Sequence, residues 1–414
     1  MPSENALRHA KIDLTEFRLS WRILILGLFG VCTSMSAALL YGFGTMIIPL
    51  QNAFGWERGE LQTAITFLFA GVAIASQLLG WLYARFGFKR VAVYSVIVQI
   101  IGYVALTQIS TSILWLYSAF FIMPLLCAGT IAITWTQLIN LWYHRNRGLA
   151  LATILSGTGL AALTMPPLLA WVMALWGWQA GFLLLATIPL LTTLPMAVFW
   201  LKLPEAGASR RATENKASKP AEVAQGVLFA EAVRSRTFWL CNLALILSVS
   251  LIVGMVTVTV PLLQDKGLSP VIAGQVFSAF GASTIFGRLL VGYLLDRFSP
   301  ILISAMALFM PVIGCSLYLF AGADDITLLV LATLCVVARY FGLKDYARIF
   351  GLHLGLVTIV GGLSPAVFGY VYTRYGNYDP VLLYSLIAAL IASLTLLSMK
   401  SATAYQHHYQ PEPT

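Results

Sequence analysis

Twelve continuous apolar runs, each separated from the next by a few charged or turn-forming residues, constrain this chain more than any motif it carries. They cover 23–49, 62–83, 91–109, 113–142, 148–173 and 181–201. After a polar interval come 238–263, 271–295, 301–322, 326–337, 349–372 and 380–399. About 20 apolar residues in helical form cross the hydrocarbon core of a bilayer. Because these runs are unbroken, rather than apolar at every second residue, a transmembrane β-barrel is disfavoured. Only 10% of the 414 residues are charged and 59% are hydrophobic, whereas a soluble domain carries about 25% charge. The chain therefore reads as an all-α polytopic membrane protein of about 12 transmembrane helices, not a soluble enzyme or a disordered chain.

The net charge of +9 invites a nucleic-acid partner, and the placement of the charges answers it. Basic residues gather on the cytoplasmic side of a membrane protein. With the N-terminus inside, cytoplasmic segments hold 21 of the 25 Lys and Arg. External loops keep Arg58, Lys266 and Arg374, and Arg288 lies within the eighth run. The charge is thus a topology signal, the bilayer is the partner, and no nucleic acid is implied. The expected order is a cytoplasmic tail 1–22, a first six-helix bundle 23–201, a cytoplasmic linker 202–237, a second bundle 238–399 and a cytoplasmic tail 400–414. Both termini then face the cytoplasm of a cell membrane, the inner membrane in a bacterium. The linker stretch 229–239 reads either as an amphipathic surface helix or as a solvated connector. Cys32, Cys127, Cys241, Cys315 and Cys335 all fall in apolar runs and read as small hydrophobes.

The two halves repeat. Gly80-Trp-Leu-Tyr-Ala-Arg85 ends the second run and Gly292-Tyr-Leu-Leu-Asp-Arg297 the eighth, 212 positions later, and Gly55 and Gly267 share that offset. Parallel repeats of six helices are a transporter architecture. The offset shrinks to 203 between Gly148-Leu-Ala-Leu151 and Gly351-Leu-His-Leu354. The shortfall falls on the tenth run, whose 12 residues reach about 18 Å as a helix. The tenth helix is expected to be unusually short.

Gly80, Leu82, Arg85, Gly87, Lys89 and Arg90 resemble the loop motif of the major facilitator superfamily, with Ala84 where the family usually has Asp. The second copy keeps Gly292, Asp296 and Arg297 and loses the glycine and basic pair that follow. Within the superfamily the chain resembles the monocarboxylate transporter and oxalate/formate antiporter group, through Phe54-Gly-Trp-Glu-Arg-Gly-Glu60, Asn146-Arg-Gly-Leu-Ala150, Ser156-Gly-Thr-Gly159 with Pro166, Gly177-Trp178, Leu262-Leu-Gln-Asp-Lys-Gly267 and Arg339-Tyr-Phe-Gly342. It departs from that group at Thr45, where some members carry Lys, and at Thr284, where they carry Asp. It also has no Lys in 349–372. The resemblance implies a transporter rather than an enzyme, moving a small organic anion by alternating access. An oxalate/formate-type exchanger stays open, as does a non-transporting sensor or an inactive relative with a truncated tenth helix.

Arg288 is the candidate substrate site. An Arg inside an apolar span costs about 2.5 kcal/mol or more, and its planar fork binds a carboxylate through two parallel hydrogen bonds. One buried cation matches a monocarboxylate better than a dianion. Snorkelling to the nearby membrane face is the competing reading. Tyr41, Thr45, Trp135, Gln137, Ser156 and Thr257 are further candidates for a polar cavity, with helix packing the alternative for each. His353 reads as a proton relay or an interfacial histidine. The pattern Gly157-Thr-Gly159-Leu-Ala-Ala162 fits a dinucleotide fingerprint by spacing but lacks its strand and acidic residue. Asp324-Asp325 reads as a solvated turn. No cofactor or metal site is expected, the working unit is expected to be a monomer, and a proton or exchanged anion is the expected coupling partner.

Overall fold

The computed structural model describes residues 15–109, 111–144, 146–204, 236–295, 298–336 and 347–398. Its elements are helices that assemble into twelve rods. The first rod joins α1 (Thr15–Cys32) to α2 (Met35–Phe54); α3 (Arg58–Phe86) and α4 (Phe88–Leu106) form the second and third. The fourth joins α5 (Ile113–Leu126) to α6 (Ala132–Trp142), the fifth α7 (Arg147–Leu155) to α8 (Gly157–Trp176), and the sixth α9 (Trp178–Leu191) to α10 (Thr193–Trp200). Rods seven to twelve are single helices: α11 (Arg236–Asp265), α12 (Pro270–Leu295), α13 (Pro300–Phe320), α14 (Ile326–Val336), α15 (Ala347–Tyr375) and α16 (Asp379–Leu397). Nine helical stretches among the described residues are long and apolar enough to cross a bilayer, and 113–126 and 326–336 are shorter ones.

The repeat is visible in the backbone. Gly55 (φ 72°) and Gly267 (φ 101°) both adopt the left-handed conformation just past the first and seventh rods. Glycine has no β-carbon to clash there, so each rod stops and turns at the same place in its repeat. The tenth rod is described from Ile326 to Val336, and the residues that follow it, 337–346, lie outside the described ones, as does the expectation of a short tenth helix.

The expectation of continuous helices fails in the first half. Rods one, four, five and six are each broken once, at Thr33-Ser34, Cys127–Ile131, Ser156 and Thr192. Backbone groups freed inside a membrane need internal partners, and neighbouring polar side chains supply them. Gln99 donates to the Thr33 carbonyl at 2.7 Å, Ser95 accepts from the Gly129 amide at 3.0 Å, and the Thr33 hydroxyl donates to the Phe29 carbonyl at 2.8 Å. The polar residues at these levels thus serve the backbone.

The expected tail also differs. α1 begins at Thr15, inside the segment assigned to the tail, and bends at Ser20. Glu16 there accepts from the backbone amides of His144 and Asn146 at 2.9 and 3.0 Å, tying α1 to the start of α7. A carboxylate suits that place, because a helix N-terminus presents unpaired amides and a partial positive charge.

The most extensive contacts between the halves are those of α8 with α12, α15 with α3, and α11 with α2. Small residues set the spacing, as is usual where membrane helices pack closely. A β-carbon on Gly281 would lie 2.2 Å from the Leu163 amide nitrogen, and one on Gly159 would lie 2.6 Å from Ile285.

Candidate substrate site and the closed seam

Arg288 projects from α12 toward the fifth rod, where its Nη2 donates to the Thr158 hydroxyl at 2.9 Å. It is half-buried, below the crossing formed by Gly159 and Gly281. The guanidinium therefore lies at the boundary between the two bundles. Thr284, one turn earlier, is 1% exposed and bonds its own helix through the Phe280 carbonyl. Thr158 was not singled out in the sequence, although Gly157 and Gly159 mark a stretch where another helix comes close.

The other expected residues separate into groups. Tyr41 is buried, with its ring 6.0 Å from that of Phe280, two turns from Arg288 along α12. Ser156 lies two residues from Thr158, and its hydroxyl bonds back to the Ala152 carbonyl at the break in rod five. Gln137 is on the exposed face of α6. Trp135, by contrast, is fully buried; its Nε1 donates to the Thr130 carbonyl, and its ring fills the place left by the missing side chain of Gly30. Thr45 is buried in α2. Thr257 is fully buried where α11 faces α2 and α3, and its carbonyl accepts from Gln62 at 3.2 Å. In this conformation Trp135, Thr45 and Thr257 are each buried among neighbouring helices.

Of the loop motif, Gly87 (φ 83°) turns the chain between α3 and α4. Lys89 donates to the Val198 carbonyl, while Gly80, Arg85 and Arg90 are exposed. Gly292 lies in α12; Asp296, Arg297 and Arg339 lie outside the described residues, as do the side chain of His353 and most of the linker.

The best-defined charged cluster was not expected to be one. Arg58, assigned to a loop, is the first residue of α3 and only 5% exposed. Its Nη1 and Nη2 donate to the two carboxylate oxygens of Asp265, at the end of α11, at 2.5 and 2.7 Å. Its Nε donates to Gln51 and its Nη1 also to the Tyr378 hydroxyl, both at 3.3 Å, and its guanidinium stands 3.8 Å from the centre of the Tyr372 ring. Burial holds the Tyr378 phenol above its usual range, so it meets the guanidinium as a neutral hydroxyl. Arg58 belongs to the first bundle, and Asp265, Tyr372 and Tyr378 to the second. The bundles are thus pinned together at the end where rods one, seven and eleven finish. Below this pin, Gln62 donates to the Thr257 carbonyl and Thr66 to the Gly362 carbonyl at 2.7 Å. On the other crossing Ser278 donates to the Leu163 carbonyl, and Arg288 follows further down.

Two repeated six-helix bundles, joined along a polar seam with a buried cation at their boundary, define a polytopic membrane transporter. The profile of the Major Facilitator Superfamily matches residues 26–343, and the chain belongs to that family. Monocarboxylate transporter 13 of Rattus norvegicus is 26% identical over 393 residues, covering 86% of this chain and 83% of that protein. The 3-(3-hydroxy-phenyl)propionate transporter of Escherichia coli K12 is 24% identical over 290 residues, covering 69% and 68%. Among solved structures, a bacterial homologue of the human lysosomal transporter Spinster, in an inward-facing and occupied conformation, superposes with a TM-score of 0.63 at 16% identity, covering 92% of this chain and 94% of that one. The fold and the family agree: this is a transporter and not an enzyme.

Proposed function

We propose that this transporter moves a small organic anion, a monocarboxylate, by rocking of its two bundles about a central site at Arg288. The observation that carries the reading is the position of Arg288: the one ionisable residue well inside an apolar span reaches across the inter-bundle boundary to Thr158. A lipid-facing Arg would snorkel away from such a boundary. A guanidinium held there can present its fork to a carboxylate. The similarity to monocarboxylate transporter 13 and to a hydroxyphenylpropionate transporter supports the same substrate class.

With the basic segments inside, the pinned end faces the exterior and the protein is closed outward. On coupling, no Asp or Glu of the sequence lies in the interior of an apolar run, so a proton has no carrier beside Arg288. Exchange or uniport fits this arrangement better than symport. Purified protein in liposomes tests both points. Labelled lactate, pyruvate and acetate are offered with and without an imposed proton gradient. Uptake that is lost in Arg288→Gln and indifferent to the gradient is expected. Undiminished uptake in that variant would overturn the site, and gradient-driven accumulation would overturn the coupling.

A further inference from the structure

We infer that Arg58 is a second carboxylate-binding site, at the outer mouth, and that Asp265 is the built-in carboxylate that occupies it while the mouth is closed. The inference rests on the transport reading above and adds a site to it. Its basis is the chemistry of the pair. Asp265 offers both oxygens to both terminal nitrogens of one guanidinium, at 2.5 and 2.7 Å. This is the bidentate fork by which Arg recognises any carboxylate. The flat face of the guanidinium lies on Tyr372, and two more of its N–H groups point to Gln51 and Tyr378.

The partition between the bundles makes the arrangement a site. Arg58 and Gln51 belong to the first bundle, while Asp265, Tyr372 and Tyr378 belong to the second. Parting the bundles at this end withdraws the carboxylate from the guanidinium. It leaves a cation, still held by Gln51, facing the exterior. Such a cation is a ready binding point for a carboxylate, which meets it through the same two parallel hydrogen bonds. A monocarboxylate arriving from outside replaces Asp265 group for group. It thereby favours the open mouth, since a ligand that binds one state shifts the population toward it. Arg58 at the mouth and Arg288 deeper in the seam then form two successive anion stations along one path.

A mere latch and a binding site predict different mutant pairs. If the ion pair only holds the mouth shut, Arg58→Gln and Asp265→Asn break the same bond and behave alike. If Arg58 binds the substrate, they diverge. The test uses the full chain in sealed right-side-out vesicles, with the five native cysteines replaced by alanine and a single reporter, Thr257→Cys, placed in the fully buried seam below the pin. A membrane-impermeant maleimide reads opening of the mouth, with external acetate, lactate or benzoate as the anion. Initial influx of labelled lactate in the chain with its native cysteines is the second measurement.

Anion should accelerate labelling in the parent. Asp265→Asn should label fast without anion and lower the half-saturating anion concentration on the order of tenfold, within the usual range of coupling between sites. Arg58→Gln should also label fast without anion but lose the anion response and raise the influx KM, with Arg58→Lys retaining a weakened response. An Arg58→Gln protein that keeps the parental half-saturation overturns the inference, and so does a parent that responds to none of the three anions. Arg288→Gln separates this result from the central-site reading. It should abolish influx and keep the anion-accelerated labelling. If that response instead vanishes in Arg288→Gln and survives in Arg58→Gln, the outer site is wrong and the central one stands. Influx that persists in Arg288→Gln removes the central site, and the outer one is then judged on Arg58 alone.

Discussion

Gly44 stands against the backbone of Thr257, so that a β-carbon on it would lie 2.8 Å from the Thr257 carbonyl oxygen. The two residues come from rods one and seven, on opposite sides of the seam, and Gln62 donates to the same carbonyl. The closed mouth therefore depends on a residue with no side chain at position 44. Overpacking a well-fitted contact costs about 1–3 kcal/mol, a change of about 5- to 150-fold in a two-state ratio. Gly44→Val is expected to hold the bundles apart at this end. Uptake should fall while protein yield and detergent stability stay near the parental level, and impermeant maleimide should reach Thr257→Cys in the cysteine-free chain. Normal uptake by Gly44→Val would show that the seam does not have to close this tightly during transport.

Arg288→Gln removes the charge, Arg288→Lys keeps the charge without the fork, and Thr158→Val removes only the hydroxyl that accepts from Nη2. A hydrogen bond to a charged group contributes about 1.5–3 kcal/mol, and every 1.4 kcal/mol is about tenfold in affinity. If Arg288 binds the substrate, Arg288→Gln should abolish uptake, and Arg288→Lys should keep a weakened uptake with KM raised by about tenfold. Thr158→Val should change uptake little. Should Thr158→Val be as damaging as Arg288→Gln, the arginine is a bridge between helices and the anion binds elsewhere. Initial-rate uptake at several substrate concentrations decides it.

The class of fold was open to reading because a bilayer imposes so few solutions: continuous apolar runs must be helices, and Arg and Lys must sort by side. The repeat was equally plain, since Gly55 and Gly267 share one offset and then share one backbone conformation. What escaped was everything that depends on two helices meeting. Trp135 and Thr257 look like cavity residues on a helical run, yet whether a polar atom faces a cavity or a neighbouring carbonyl is set by the partner helix. Arg58 looked like a loop charge because its run turns apolar only a few residues later. The structure extends α3 back to it and brings Asp265 from 207 residues away. The sequence did not single the pair out, because Glu57 stands nearer to Gly55 than Arg58 does, and Lys266 stands nearer to Gly267 than Asp265 does.

The tie between α1 and the start of α7 makes a prediction in alkaline solution. Tyr143 donates to the Ser20 carbonyl at 3.2 Å, and burial, followed by the charge of Glu16, pushes its phenol up to about 12. An unfolded Tyr titrates near 10. Between these values the unfolded chain releases the proton first, so stability falls as pH rises from about 10 toward 12. Thermal unfolding followed across this range should show a loss that Tyr143→Phe reduces. At neutral pH the same variant should be slightly less stable, by about 1 kcal/mol for the missing hydrogen bond. Glu16→Gln should lower the melting temperature at neutral pH, because it weakens the carboxylate that holds the amides of His144 and Asn146. It should also shrink the alkaline loss, because without that charge the folded phenol titrates closer to the unfolded value near 10, which a purely local effect on α7 would not do.

Thr45 offers the sharpest contrast between a packing residue and a binding residue. It is 1% exposed, and its hydroxyl meets no hydrogen-bond partner among the described residues. A buried polar atom in that position costs about 1–3 kcal/mol relative to a satisfied one. Valine has nearly the same shape without the hydroxyl. Thr45→Val should therefore raise the melting temperature in detergent and leave the KM for uptake unchanged, because a side chain sealed inside α2 does not meet the substrate. The residue next to it is Gly44, at the seam, so parting of the bundles brings Thr45 closer to the path than the closed structure does. If the variant is more stable and yet its influx KM rises, the hydroxyl is held unsatisfied for the substrate, and the cost of burying it is tied to the open state of the mouth. Melting curves and initial rates on the same preparation distinguish the two outcomes.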